Sequence, residues 1–187
     1  ALERNEKLYD SSRIINTAQS LQDLVYAAVI TTTSTQVDFW LGLFEGVTDI
    51  NSWHGQLRIV ARSELGNVIE TNELHTITIA DDSPMRDREP EILSDRPSQN
   101  WLWDNDHAFV SAFPLFSDNK LIALFFIVSY EDYQLSAEDY DVYRALTGQM
   151  STQIQNSRLL EQTELALAET QRLYIASRAI AGATDID

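Results

Sequence analysis

Asp104-Asn105-Asp106-His107 sets three side chains with oxygen atoms and one imidazole in four consecutive positions, a set that could hold a cation. The plainer chemistry of such a run is a solvated loop that caps a neighbouring element, and on that reading no metal site is expected. Just before it, Trp101 and Trp103 could line an aromatic chamber for a planar or apolar ligand. Large aromatics also close a core where regular structure is sparse. A spacing of two puts both rings on one face in a strand and splays them in a helix. Arg58 and Arg62, taken as alternating on one strand face, could meet a ligand carboxylate or phosphate. In a chain this acidic they could equally pair with their own carboxylates. His54 and His75 have no partner near them in sequence and are read as loop or edge residues.

Catalytic signatures are missing. The chain has no G-x-S-x-G, no glycine-rich phosphate loop and no H-E-x-x-H. With 6 glycines in all, no segment can bring its backbone close around a phosphate. Without a cysteine there is no disulfide, no thiolate metal ligand and no thioether-linked chromophore. No enzyme activity and no cofactor are expected.

The 187 residues suit one domain plus additional helix. Net charge is −16, from 29 acidic and 13 basic residues. A phosphate backbone or an anionic membrane surface would be repelled, so neither is expected as a partner. The longest unbroken apolar stretch of note, Leu121 to Val128, is far too short to span a bilayer. A cytoplasmic location is expected.

These residues need elements to carry them. Ile14, Ala18, Leu21, Val25 and Ala28 recur at helical spacing and predict a helix over 1–30, ended by the β-branched and hydroxyl run Thr31 to Gln36. Val37 to Val47 is apolar on both alternating faces and predicts a strand covered on both sides. Gln56 to Ser63 alternates more openly and predicts a strand with one wetter face. Residues 65–108 are the least regular. Short strands are expected at Thr76 to Ala80 and Glu91 to Ser94, with a short helix starting at Pro84. Phe109 to Phe116 and Leu121 to Tyr130, joined by Ser117-Asp118-Asn119-Lys120, predict a hairpin. Pro114 within its first arm calls for an edge or bulge position.

After Pro114 there is no proline, and Ser136 stands as an N-cap before Glu138 and Asp139. A single helix over about 137–180 follows, on the order of 65 Å long at 1.5 Å per residue. Its distal leucines Leu159, Leu160, Leu165, Leu167 and Leu173 need cover that one core cannot give, and the same helix of a second chain is the natural partner.

The helix end also repeats the chain start. Residues 166–187 match residues 1–22 at 8 of 22 positions with a constant offset of 165. Leu8-Tyr9, Ser12-Arg13, Ile15 and Ala18 return as Leu173-Tyr174, Ser177-Arg178, Ile180 and Ala183. A fixed-offset repeat marks the unit of an array, so the chain is expected to be one module with the opening of a second.

In order, these elements resemble a GAF domain. Glu89-Pro90-Glu91-Ile92-Leu93-Ser94-Asp95 resembles that family's E-P-strand-D segment. Phe113-Pro114-Leu115 with the Asp118-Asn119 turn and the Leu121-to-Val128 strand resembles its hairpin. Leu135-Ser136-Ala137-Glu138-Asp139, followed by the Gln149-to-Arg158 helix, resembles its exit. The similarity spans roughly residues 10–160. The motif of the cyclic-nucleotide-binding members is missing from the middle region, and so is the bilin-attachment cysteine of phytochrome-like members.

The resemblance implies an α+β fold, PAS-related. A central antiparallel sheet of five or six strands carries the N-terminal and exit helices on one face. A pocket lies on the other face, beneath residues 77–107. Its candidate lining is Phe44, Arg62, Met85, Trp101, Trp103 and His107. The implied organisation is an N-terminal helix over 1–30, a sensory domain over 31–158, and a connector over 159–187 that starts the second repeat. The implied role is that of a regulatory module, upstream of a histidine kinase or similar output. It would bind a small molecule or partner, dimerise through its terminal helices, and act on adjacent domains of the same chain. The alternative is a ligand-free spacer whose pocket is filled by its own side chains.

Overall fold

Ser20 divides the expected N-terminal helix in two. Its backbone is extended (φ −139°, ψ 161°), and its hydroxyl accepts a hydrogen bond from the Asp23 N–H. The Asp23 carboxylate accepts in return from the Ser20 N–H at 3.0 Å. This capping box starts a new helix where the apolar stripe alone predicted continuity. The computed structural model describes residues 2–32, 34, 36–48, 54–93 and 108–183. Helix α1 is Leu2–Thr17 and α2 is Leu21–Thr31. They pack against each other, with Ser11 and Ile15 of α1 buried and the Ser11 hydroxyl bonded to that of Thr31.

The chain forms two compact units, residues 1–153 and 154–187. The first holds a six-stranded antiparallel sheet: β1 Asp38–Thr48, β2 His54–Glu64, β3 Asn67–Thr78, β4 Glu91–Ile92, β5 Phe109–Ser117 and β6 Lys120–Ser129. The strand order is β3-β2-β1-β6-β5-β4. The strands β1 and β6, both apolar on alternate faces, are central. In strand β2, Leu57, Ile59 and Ala61 are buried with Arg58, Val60 and Arg62 partly exposed, but the register slips at Val60, so Ala61 faces the opposite way from Leu57 and Ile59. Pro114 lies past the two residues that pair with β4, on the open side of β5, where no partner requires its missing N–H.

Strand β3 is a correction. Residues 67–75 read as irregular, yet they form most of a 12-residue edge strand. The turn into it is Leu65-Gly66, both at positive φ (51° and 82°), the conformation of a two-residue hairpin. Leucine rarely takes that conformation, so the turn carries no familiar sequence signal. The helical segment at Pro84 is one 3-10 turn, Pro84–Asp87, and β4 is only Glu91–Ile92.

Helix α2 and the first part of the long helix α3, Ala137–Ala183, cover one face of the sheet. Tyr143 of α3 packs on Phe39 of β1 (ring centroids 5.6 Å apart) and on Phe113 of β5 (6.2 Å). Phe39 stacks in turn on Phe125 of β6 at 5.7 Å. Ser136 caps α3 as expected, its hydroxyl accepting from the Asp139 N–H at 3.1 Å. In the second unit the helix continues to Ala183, and every residue from Leu159 to Arg178 is exposed.

Candidate functional site on the far face of the sheet

The opposite face carries a second apolar layer. Trp40 and Phe44 of β1, Leu57 and Ile59 of β2, Val110 and Ala112 of β5, and Leu124, Phe126 and Val128 of β6 form its floor. Ile77 of β3 extends this floor, and Ile79, Met85 and Leu93 pack into the same layer. Between Trp40 and Phe44, Gly42 gives the room. A Cβ there would stand 2.8 Å from two side-chain carbons of Leu57, which is itself fully buried. Phe44 and Met85 are therefore neighbours in one cluster, at 4% and 0% exposure, as enclosed core side chains.

This packing is reinforced by polar contacts. The Ser83 hydroxyl donates to the buried Glu91 carboxylate and accepts from the Met85 N–H. Arg86 donates to the backbone carbonyls of Ala80 and Ile79, at 2.9 and 3.3 Å. Arg88, at positive φ where the turn ends, reaches the β5–β6 hairpin. It donates to the Asp118 carbonyl at 3.0 Å and the Asn119 side chain at 2.8 Å, with its guanidinium 5.0 Å from the centre of the Phe116 ring.

Arg62 lies across from Trp40 in the β1–β2 register, so both point to this face. Four positions along β1 separate Trp40 from Phe44, about 13 Å at the rise of a strand. Arg62 therefore marks the opposite end of the layer from Phe44. Its guanidinium is engaged by Glu73 at 2.8 Å and Glu64 at 2.7 Å, and Glu73 also stands 3.7 Å from the His75 ring. The Arg62 Nε is buried and has no hydrogen-bond partner among the described residues. A ligand acid reaching this point would compete with two carboxylates of the protein. Glu73 and His75 belong to β3, so missing that strand meant missing the partners of Arg62. The alternation Ile69, Thr71, Glu73, His75, Ile77 was the available signal.

Arg58 does not share the face of Arg62. The β1–β2 register slips after Leu41–Ala61, with Gly42 opposite Ile59, so Val60 is an extra residue on β2. The bulge turns Arg58 to the helix side. There it pairs with Glu45 and borders a cavity of about 740 Å³ together with Ser20, Gln22, Glu70 and Asn72. The expected two-arginine site is thereby dissolved. His75 sits on the edge strand β3 as read, whereas His54 opens the internal strand β2 and bonds the Thr78 hydroxyl at 2.6 Å. Trp101, Trp103 and His107, with the rest of the acidic Asp104–His107 run, lie outside the described residues. Among the described residues no group of three or more His, Asp or Glu side chains could hold a metal ion. No helix among them is long and apolar enough to cross a membrane.

No family model and no curated protein matches the sequence. Solved structures do match. The GAF domain of a two-component sensor histidine kinase from Bacillus halodurans superposes with a TM-score of 0.55 at 16% identity, over 77% of this chain and 99% of that one. The phycoerythrobilin-bound GAF domain of a cyanobacterial phytochrome gives 0.59 at 14% identity, over 84% and 97%. The fold is that of a GAF domain. The fRMsr of Staphylococcus aureus in its reduced form also superposes, with a TM-score of 0.55 at 12% identity, over 80% of this chain and 94% of that one. The six-stranded antiparallel sheet flanked by N-terminal helices and a long exit helix agrees with the α+β fold expected from the GAF-like strings.

Proposed function

We propose that this chain is a non-catalytic sensory or regulatory GAF module of a cytoplasmic signalling protein. A small molecule or partner is recognised on the far face, above the Trp40–Phe126 floor. The change is passed through α3 to a downstream domain of a kinase or similar output. The observation that carries this reading is the pair Phe39–Trp40. Adjacent on β1, one ring packs on Tyr143 of α3 while the other floors the far layer. A displacement of β1 by a ligand is therefore felt directly at the root of the exit helix. The ligand need only bind one of two helix arrangements better than the other to shift their populations.

Trp101, Trp103 and His107 are proposed as the remaining lining, with Arg62 at the rim and Phe44 and Met85 as the floor. The module pairs with a second copy through its terminal helices. Leu159, Leu160, Leu165 and Leu167, between 53% and 64% exposed, supply the contact. Leu160 and Leu167 are seven apart and share one helix face.

A second reading has its own support. Met85, Leu93 and Leu57 are fully buried in the far layer, so part of the chamber is filled by the protein itself. On that reading the chain is a ligand-free dimerising spacer. Native mass spectrometry of protein purified without added ligand separates the two. A dimer with additional bound mass is expected. A dimer of bare chains that no ligand screen shifts favours the spacer, and a bare monomer at micromolar concentration removes the dimer.

A further inference from the structure

Leu65 stands where its type is least at ease. It opens the β2–β3 turn at φ 51°, in the left-handed region that glycine and asparagine tolerate and leucine rarely enters. Gly66 follows at φ 82°, so the pair has the backbone of a turn for which Asn-Gly is the favoured sequence. Burial gives the leucine nothing in return, because it is 91% exposed. A strained apolar residue held out in solvent calls for a use beyond the fold. Beside it, on the helix side of the sheet, lies a cavity of about 310 Å³. Val29 of α2, Val37 and Phe39 wall this cavity, and Leu65 and Gly66 form its rim.

The lining selects by polarity. None of the described residues around the cavity carries a charge. Its hydroxyls are already bonded within the protein. Ser63 accepts from the Phe39 N–H at 2.8 Å and donates to the Asp38 carboxylate at 3.1 Å. Thr32 accepts from the Ser34 N–H, and Ser34 from the Gln36 N–H, each at 3.1 Å. A spare lone pair on such an oxygen can still accept a hydrogen bond. An anion would meet no cation here and would stand near Asp38. Apolar cavities of about 150 Å³ already take up benzene, so this one has room for a substituted ring.

We propose that this cavity is a binding site, separate from the far face, for a small uncharged and mainly apolar molecule, and that Leu65 closes over the occupant. Strand β1 lies between the two sites, so neither depends on the other. Phe39 walls the cavity and also packs on Tyr143 at 5.6 Å, which places the occupant one side chain away from the root of α3. The turn gives up stability that asparagine would restore, and the leucine supplies apolar contact to the ligand instead.

The test is a methyl-detected NMR titration with benzyl alcohol, and with benzoate as its charged counterpart. Benzyl alcohol should shift the methyl signals of Val29, Val37 and Leu65 saturably and leave those of Leu57 and Leu124 on the far face in place. Benzoate should shift none of them. Leu65→Asn should raise the melting temperature, because asparagine suits the turn, and weaken benzyl alcohol binding about tenfold, because the covering side chain is gone. Val29→Phe, at a partly exposed position, should fill the cavity and abolish binding with Leu65 intact. Absence of saturable shifts at the cavity methyls overturns the proposal, as do shifts at the far-face methyls alone. Equal binding of benzoate overturns the selectivity for uncharged molecules. A Leu65→Asn protein that binds as tightly as wild type, or melts lower, overturns the role of Leu65. Cavity signals that move with protein concentration before any probe is added overturn the small-molecule site and assign the cavity to a second copy of the chain.

Discussion

Asp38 shows how one side chain can set a pH dependence. Burial holds its carboxyl above the ordinary value of 3.8, partly offset by the hydrogen bond from Ser63. A group with a raised folded pKa favours the folded state most below its unfolded pKa. That contribution is lost as pH rises through the folded value. Asp38→Asn should therefore raise the melting temperature at pH 7, with the gain shrinking to nothing below about pH 4. A mutant that melts lower than wild type at pH 7 would show that the charge is needed. At Gly42 space is the determinant. Gly42→Ala places a methyl against buried Leu57 and should cost about 1–3 kcal/mol, read by denaturant unfolding. Ser20→Ala removes the cap between α1 and α2 and should cost about 1 kcal/mol, with amides near 20–24 exchanging faster.

Among elements, the turn at Pro84–Asp87 matters most, because it packs into the far layer and is anchored by side chains. Arg88→Ala severs its tie to the β5–β6 hairpin. Faster hydrogen exchange across 84–92 is expected, with β1 and β6 unchanged. Elements whose periodicity was unbroken were legible in the sequence: β1, the β5–β6 hairpin and the capped α3, while β2 was legible as a strand only. Those decided by one local conformation were not. The Ser20–Asp23 box cut a helix whose apolar stripe ran on. Leu65 at positive φ hid a hairpin and with it β3. One additional residue, Val60, reversed the face of Arg58, which no count of alternation could foresee without the register. The candidate site was legible only as a place. Phe44 and Met85 do share a cluster, but Arg62 is held by Glu73 and Glu64, and those partners sit on or beside the strand that was missed.

For the whole molecule, the net charge of −16 bears on assembly. Two such chains repel at low ionic strength, so the proposed dimer should tighten as salt screens them over about 10 Å at 0.1 M. Analytical ultracentrifugation at low and moderate salt measures this. Leu160→Asp with Leu167→Asp should give monomers at both, and a dimer that persists would move the interface elsewhere.

Strand β3 is one long edge of the sheet, unpaired on its outer side among the described residues, with Leu74 and Ile69 partly exposed along it. Glu70 and Glu73 are interspersed among them, and like charges on two copies of the edge keep backbones from joining. That protection is electrical, and it weakens as the medium approaches the isoelectric point near 4.4. As the net charge falls toward zero, this edge should become a template for strand-to-strand growth, so the protein's colloidal limit is set by acidity.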